Sequence, residues 1–321
     1  MQSRPILLAA LSLLAIAPVQ SQEPLSVVAT VGMIGDIAQI VGGECVSVET
    51  MMGPGIDPHL YQATARDVQT LNHADLILYS GYSLEGQLGD VFERYAERVP
   101  TLAVAEAGIS EAELIATATA YGVDPHVWMD VSLWALTVPA IAAKLTELLP
   151  DCAPAIAANA EDYGAQLTAL HAWTAEAIAS IPTDQRVLVT AHDAFAYYGR
   201  AYGIEVAGIQ GISTQSEAAI ADIRQTADLI VARAVPAIFV ESTINPRTIE
   251  AVMAAARQAG QPVEIGGQLY SDAMGEAGTA GGTYIGMIHS NTVSIVTALG
   301  GTLPSLPADL QDWARQWSLP N

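Results

Sequence analysis

Short β-branched segments alternate with longer segments of helical periodicity along most of the chain, and this alternation restricts the fold more than any other feature. The run ADLILYSG (74–81) is rich in apolar or aromatic residues without alternation, as expected for a strand covered on both sides, and PAIFVEST (236–243) is also predicted as a strand. Strand–helix alternation of this kind is typical of parallel α/β architecture. TLAVAEAG (101–108) is predicted as a further strand.

A long helical segment near the middle of the chain interrupts the alternation. At about 1.5 Å per residue it extends roughly 40 Å, far enough to connect two compact units. The fold class that follows is α/β with two lobes, each a parallel sheet flanked by helices, bridged by this one long helix. The predicted parts are an N-terminal lobe at 22–153, the linking helix at 154–181, a C-terminal lobe at 182–300 and a C-terminal tail without a visible motif at 301–321.

Residues 1–21 have the parts of a secretory signal peptide. MQSR supplies a positive charge, an apolar run shorter than a bilayer span follows, and small residues flank a plausible cleavage site. No cysteine stands at that junction. We therefore expect an exported, soluble, periplasmic protein without a lipid anchor.

Charge and cysteine content restrict the partners. With 34 acidic and 12 basic residues, the net charge is −22, which disfavours binding to nucleic acid and anionic lipid. Cations suit such a surface, although acidity also serves solubility alone. Cys45 and Cys152 are the two cysteines. An oxidising compartment favours a disulfide, but the sequence does not show that the two are near each other.

The heptapeptide GIDPHLY (55–61) returns in near copy as GVDPHVW (122–128). Proline fixes its own φ and restricts the residue before it, so each loop presents its histidine stiffly. These histidines are His59 and His126. The preceding Asp57 and Asp124 either orient the imidazoles as hydrogen-bond acceptors or simply cap turns.

Two further groups follow predicted strands of the second half. His192 comes just after RVLVT, and Asp272 comes a few residues after PVEIGG. Ligands of open parallel sheets bind beyond the carboxyl ends of the strands, so we expect four loops, two from each half, to meet at one point. Three imidazoles and a carboxylate complete a tetrahedral shell for zinc and also suit manganese. From the pattern alone, structural roles for His192 and Asp272 stay equally open, and structural roles are expected for His73, His171 and His289.

Longer motifs carry a resemblance to a known family. The chain resembles the metal-binding solute-binding proteins of ABC importers, in the zinc and manganese group called cluster A-I and its TroA-like branch. The similarity covers roughly residues 25 to 300 and rests on GPGIDPHLYQATARDVQTLNHADLILYSG, DPHVWMDVSLW, VLVTAHDAFAYYGRAYGIEVAGIQGISTQSEA, PAIFVEST and LYSDAMGEAGTAGGTYIGMIHSN.

The resemblance implies a metal site in the cleft between the two lobes. It places the ligands at His59, His126, His192 and Asp272. Glu241 matches an acidic position near the family's site, where it either supports a ligand or has a structural partner.

The resemblance also implies a cargo and partners. Manganese- and iron-selective members often have glutamate at the third ligand, so His192 favours Zn²⁺, with Mn²⁺ as the alternative. Many zinc-specific relatives carry a histidine-rich loop that this chain lacks before its second Asp-Pro-His. The implied partner is a membrane permease with a separate ATPase, because the chain has no GxxxxGK[ST] loop. Neither nucleic acid nor a second copy of the chain is expected as a partner.

Two other functions share this set of residues. A zinc hydrolase would use Glu241 as general base on a metal-bound water. It needs an open coordination position, which four protein ligands would close, so we expect the protein not to be an enzyme. A passive metal buffer or an adhesin would share the whole site and differ only in its partner.

Overall fold

The structure is a computed structural model that describes residues 23–118 and 122–319. The predicted signal peptide at 1–21 lies outside these residues.

The first half contains a parallel four-stranded sheet in the order β2-β1-β3-β4. Val27, Val28 and Ala29 of the inner strand β1 are almost fully buried, and since successive side chains point to opposite faces, both faces of this strand are covered. The elements in chain order are β1 (Leu25–Val31), α1 (Gly32–Gly42), β2 (Val46–Met52), α2 (Ala65–Asn72), β3 (Leu76–Tyr79), α3 (Gly89–Tyr95), β4 (Thr101–Ala103), α4 (Val104–Gly108), α5 (Val131–Ala135) and α6 (Thr137–Leu148).

The long helix predicted between the halves is α7, Ala153–Ala179. It packs against α1, α5 and α6 of the first half and against two helices at the end of the chain. Leu167 and Leu170 lie on its fully buried face. The lobe boundaries themselves stay predictions.

The second half has four parallel strands that pair as β5–β6 and β7–β8, and β5 lies beside β7. Within the described residues, the strands of this half therefore form two separate two-stranded ladders. A second, smaller cluster of buried apolar side chains packs around these strands. The elements are β5 (Val187–His192), α8 (Ala196–Tyr202), β6 (Glu205–Gln210), α9 (Ile220–Arg233), β7 (Ala237–Glu241), α10 (Arg247–Gln258), β8 (Glu264–Leu269), α11 (Tyr284–Ala298) and α12 (Ala308–Gln316).

The prediction of a strand over 101–108 is wrong for most of its length. Only Thr101–Ala103 is a strand, and Val104–Gly108 forms α4. Alanine and glutamate favour the helix. Gly108 allows the end of α4 to approach the backbone between α5 and α6 closely, since a Cβ there would lie 2.8 Å from the carbonyl oxygen of Leu136.

The segment predicted as a tail is part of the packed structure. The indole nitrogen of Trp313 in α12 donates to Thr283 Oγ1 at 3.2 Å, and its ring contacts the imidazole of His289. The indole of Trp173 in α7 donates to the carbonyl of Pro304 at 3.0 Å. The end of the chain therefore covers the second half of α7.

The segment Val131–Leu148 is long and apolar enough to cross a membrane by length and composition alone. It is divided at Leu136 between α5 and α6, and its residues Trp134, Ile141 and Leu145 are fully buried against other helices. We interpret it as a pair of core helices.

Cys45 and Cys152 form a disulfide with a Cα–Cα distance of 6.6 Å, which settles the pairing that the sequence left open. Cys45 follows α1, and Cys152 directly precedes α7. The bond therefore attaches the start of the long helix to the first half.

We expect loss of this disulfide to lower the free energy of unfolding by about 2–5 kcal/mol, because a closed loop of roughly 100 residues restricts the unfolded chain. The measurement is urea unfolding of the metal-free protein with and without reductant. The Cys45→Ser, Cys152→Ser double variant is the control, since it should show the same loss and no response to reductant. Equal midpoints for the oxidised and fully reduced protein would contradict the expectation.

Candidate metal site

The predicted site residues lie where strands end. His59 is in the turn after β2, His192 is the last residue of β5, and Asp272 follows β8. His126 directly precedes a short 3₁₀ turn, Val127–Met129. His192 thus sits in a strand and not in the loop that we expected.

The structure brings these four side chains together. One ligand atom from each lies within 4.8 Å of all the others. The His59 and His126 Nε2 atoms are 3.2 Å apart, and Asp272 is 3.4 Å from His126 Nε2 and 3.2 Å from His192 Nε2. Zinc bonds of about 2.0–2.2 Å correspond to tetrahedron edges of roughly 3.3–3.6 Å. The separation of the His59 and His126 Nε2 atoms is close to such an edge. The two short distances to Asp272 involve different oxygens, Oδ1 for His126 and Oδ2 for His192, and His59 Nε2 lies 3.9 Å from Oδ2.

The cluster is shielded from solvent. His126 and His192 are fully buried, Asp272 is 1% exposed and His59 is 4% exposed. Within the described residues, His192 Nε2 and both carboxylate oxygens of Asp272 have no hydrogen-bond partner. Buried polar atoms are rarely left so. A cation coordinated at the centre would satisfy all three.

Carboxylates orient two of the imidazoles from behind. Asp124 Oδ1 accepts from the backbone N–H of His126 at 3.0 Å and lies 2.7 Å from its Nδ1. Glu241 accepts from the backbone N–H of His192 at 2.9 Å, and its other oxygen lies 2.5 Å from Nδ1. A proton kept on Nδ1 leaves the lone pair of Nε2 available to coordinate a metal ion at the centre of the cluster.

Asp57 contacts a different part of its histidine. Its Oδ1 accepts from the backbone N–H of His59 at 2.9 Å, and its Oδ2 accepts from the hydroxyl of Thr214 at 2.5 Å. Asp57 therefore holds the backbone of the first Asp-Pro-His loop and connects it to the second half of the chain.

Burial and charge give the three imidazoles different proton affinities. Burial lowers the pKa of His59 to about 4, although Asp272 opposes this. Burial also disfavours a charged His126, but Asp124 and Asp272 outweigh it and raise its pKa to about 9. For Asp272, burial raises the pKa, and the neighbouring His192 and His126 more than reverse this, so that its pKa lies well below the usual range. The metal-free site thus holds an ionised carboxylate.

Other residues that support the site were not identified from the sequence. Trp128, in the second heptapeptide, has its ring 5.2 Å from that of His126 and donates from its indole nitrogen to the carbonyl of Ser271 at 2.9 Å. It fastens the His126 loop to the residue before Asp272. The Tyr197 hydroxyl donates to the carbonyl of Asp124 at 2.9 Å. The one sequence feature that could have pointed to a supporting residue was the tryptophan at the last position of the second heptapeptide.

The remaining histidines lie away from this cluster. Exposed His73 contacts the carbonyl of Gln69 through its Nδ1, at the end of α2. His171 packs on Tyr202. His289 is stacked on Trp173, with ring centroids 5.0 Å apart.

Comparisons with known proteins agree with the fold and the site. The family model described as zinc-uptake complex component A, periplasmic (ZnuA) matches residues 27–298, and the chain belongs to this family. The manganese-binding lipoprotein MntA of Bacillus subtilis (strain 168) is 45% identical over 279 residues, which cover 87% of this chain and 91% of MntA. The zinc-binding protein TroA of Treponema pallidum (strain Nichols) is 46% identical over 280 residues, covering 85% and 88% of the two chains.

A solved structure of the periplasmic zinc-binding protein TroA from Treponema pallidum has the same fold. Its TM-score is 0.84 at 45% identity, with 86% of this chain and 99% of that chain covered. The resemblance drawn from the motifs is thereby confirmed. The family consists of substrate-binding proteins of ABC transporters, which face the periplasm or the cell exterior and work with a membrane permease and an ATPase. Because several relatives are named lipoproteins, the comparisons do not support the expectation of an unanchored protein.

The environment of His289 predicts a pH dependence of stability. Burial lowers its pKa to about 4 in the folded protein, against about 6.5 in the unfolded chain. As the pH falls, the unfolded chain therefore binds a proton at His289 before the folded protein does. The contribution of neutral His289 to the free energy of unfolding is complete above pH 6.5 and is lost as the pH falls toward 4. At about 1.4 kcal/mol per pKa unit, the loss is about 3 kcal/mol at most.

Urea unfolding of the metal-free protein between pH 4.5 and 7 measures this effect. We expect His289→Phe, which retains an aromatic ring against Trp173, to show a shallower decline than the wild type. His73→Gln, at an exposed histidine, should follow the wild-type curve. Parallel curves for wild type and His289→Phe would exclude His289 as a source of the decline.

Proposed function

We propose that the protein captures one divalent transition metal ion with His59, His126, His192 and Asp272 and delivers it to an ABC importer. Zn²⁺ is the favoured cargo and Mn²⁺ the alternative. The observation that carries the proposal is the burial of four ligand atoms within 4.8 Å of one another. The proposed partner is a membrane permease with a separate ATPase, and we propose that the protein acts as a periplasmic monomer.

The donor set supports zinc over manganese. Three imidazoles and one carboxylate suit Zn²⁺, whereas manganese favours more oxygen ligands and a larger shell. Zinc also binds nitrogen donors more tightly than manganese in the general affinity order. The names of the relatives do not decide the cargo, because MntA is called manganese-binding and TroA zinc-binding.

A hydrolytic role is less well supported by the same geometry. Both oxygens of Glu241 are engaged by His192, one by the backbone N–H and one by the ring. A general base needs an oxygen that reaches a metal-bound water. With four protein ligands on the ion, that water would also lack a coordination position.

Metal content after competition tests the proposal. The protein is stripped with a chelator, offered equal zinc and manganese, washed, and assayed for bound metal by mass spectrometry. We expect one zinc per chain, retained against excess manganese. His192→Ala should weaken zinc binding by more than about 100-fold, since changes behind a ligand already cost 10- to 100-fold.

His171→Ala is the matched control, because His171 lies on α7 outside the cluster, and it should bind like the wild type. Stoichiometric manganese held in the presence of zinc would reverse the cargo assignment and leave the importer proposal standing. Binding of neither metal would exclude the four-ligand site.

The carboxylates behind the imidazoles generate a separate prediction. Asp124→Asn and Glu241→Gln should each lower zinc affinity by about 10- to 100-fold, because an amide orients and polarises Nδ1–H less well than a carboxylate. Titration against a competing chelator measures this. Glu205→Gln, a partly exposed carboxylate paired with Arg233, should have no effect. Unchanged affinity in both site variants would contradict a role for these carboxylates in ligand orientation.

A further inference from the structure

The segment 211–219, between β6 and α9, contacts the loop that carries His59. The Thr214 hydroxyl donates to Asp57 Oδ2 at 2.5 Å. The Gln215 side-chain amide donates to the carbonyl oxygen of His59 at 3.4 Å. These residues lie more than 150 positions apart in the chain, with separations of 157 and 156, so the contacts join the two halves directly.

Both the backbone N–H and the backbone carbonyl of His59 are thereby hydrogen-bonded to side chains of other residues. Asp57 accepts its N–H, and Gln215 donates to its carbonyl. Thr214 is 9% exposed, so its hydrogen bond to a carboxylate is largely shielded from water. Gly86 lies against the same carbonyl, since a Cβ at that position would be 3.2 Å from the His59 oxygen.

The two Asp-Pro-His copies differ in what their aspartates bind. In the second copy, Asp124 Oδ1 contacts both the backbone N–H and the ring of His126, which lies within one segment of chain. In the first copy, Asp57 uses one oxygen for His59 and the other for Thr214. The position of the His59 loop therefore depends on the position of the opposite half, through the Asp57 carboxylate and the His59 carbonyl.

We propose that Thr214 and Gln215 are positioning residues that hold the His59 loop in its ligating position and so slow the release of bound metal. The inference rests on the proposed function. Movement of the two halves apart breaks the Thr214–Asp57 and Gln215–His59 hydrogen bonds and so removes two restraints on the position of the His59 loop.

The rate of zinc release tests this inference. Zinc-loaded protein is mixed rapidly with excess chromogenic chelator, and the release rate is followed for the wild type and for Thr214→Val, which keeps the volume and removes the donor. We expect release about tenfold faster or more, as for loss of a hydrogen bond to a charged group. Thr214→Ser retains the hydroxyl and should release zinc at nearly the wild-type rate.

Two further variants separate positioning from general stability. Thr226→Val changes a threonine of similar burial in α9 and should release zinc like the wild type. Gln215→Met changes an exposed side chain and should accelerate release about two- to threefold, in keeping with its longer hydrogen bond. It provides the test if Thr214→Val does not fold by circular dichroism.

Equal release rates for wild type and folded Thr214→Val, with zinc bound at one per chain in both, would overturn the inference and leave the metal-binding proposal intact. Equal rates for Gln215→Met and wild type would do the same if Thr214→Val is unfolded. If Thr214→Ser releases zinc as fast as Thr214→Val, and faster than Thr226→Val, the effect comes from packing and not from the hydroxyl. That result would also overturn the inference. A wild type that binds neither zinc nor manganese would fail both proposals together, and one that holds only manganese is tested by the rate of manganese release.

Discussion

Three imidazoles and one carboxylate are gathered within 4.8 Å in an almost water-free interior, and this costs desolvation of every group involved. A divalent cation at the centre would engage all four groups at once. The protein therefore has to hold the four groups in place by other means before metal arrives. Asp124 and Glu241 do so for two of the rings, with hydrogen bonds to backbone and Nδ1 alike.

Parallel strands supply the fixed points for this arrangement. His192 is the last residue of β5, Asp272 follows β8, and His59 lies in the turn after β2, so one ligand belongs to sheet backbone and two others follow strand ends. His126 has no strand, and its loop is fixed instead by the Trp128 indole bond to Ser271. The helix α7, tied to the first half by the disulfide, packs against helices of both halves.

Local signals in the sequence were enough for most elements and for half of the site. Hydrophobic periodicity predicted α7 within two residues at either end, and the repeated heptapeptide identified His59 and His126. The pattern alone left His192 and Asp272 open, and the family resemblance made the assignment. Contacts between distant segments, such as Thr214 with Asp57, have no local signature, because neither residue differs from an ordinary turn residue. The strand predicted over 101–108 failed since its alanines fit a helix as well.

The repeat of Asp-Pro-His has two physical consequences and not one. Asp124 contacts both the backbone N–H and the ring of His126, so its side chain orients the ligand of its own loop. Asp57 divides its two oxygens between His59 and Thr214, so its side chain couples the ligand of its own loop to the second half of the chain. The same tripeptide serves both arrangements, because the surroundings of its aspartate, and not the motif itself, decide which hydrogen bonds form.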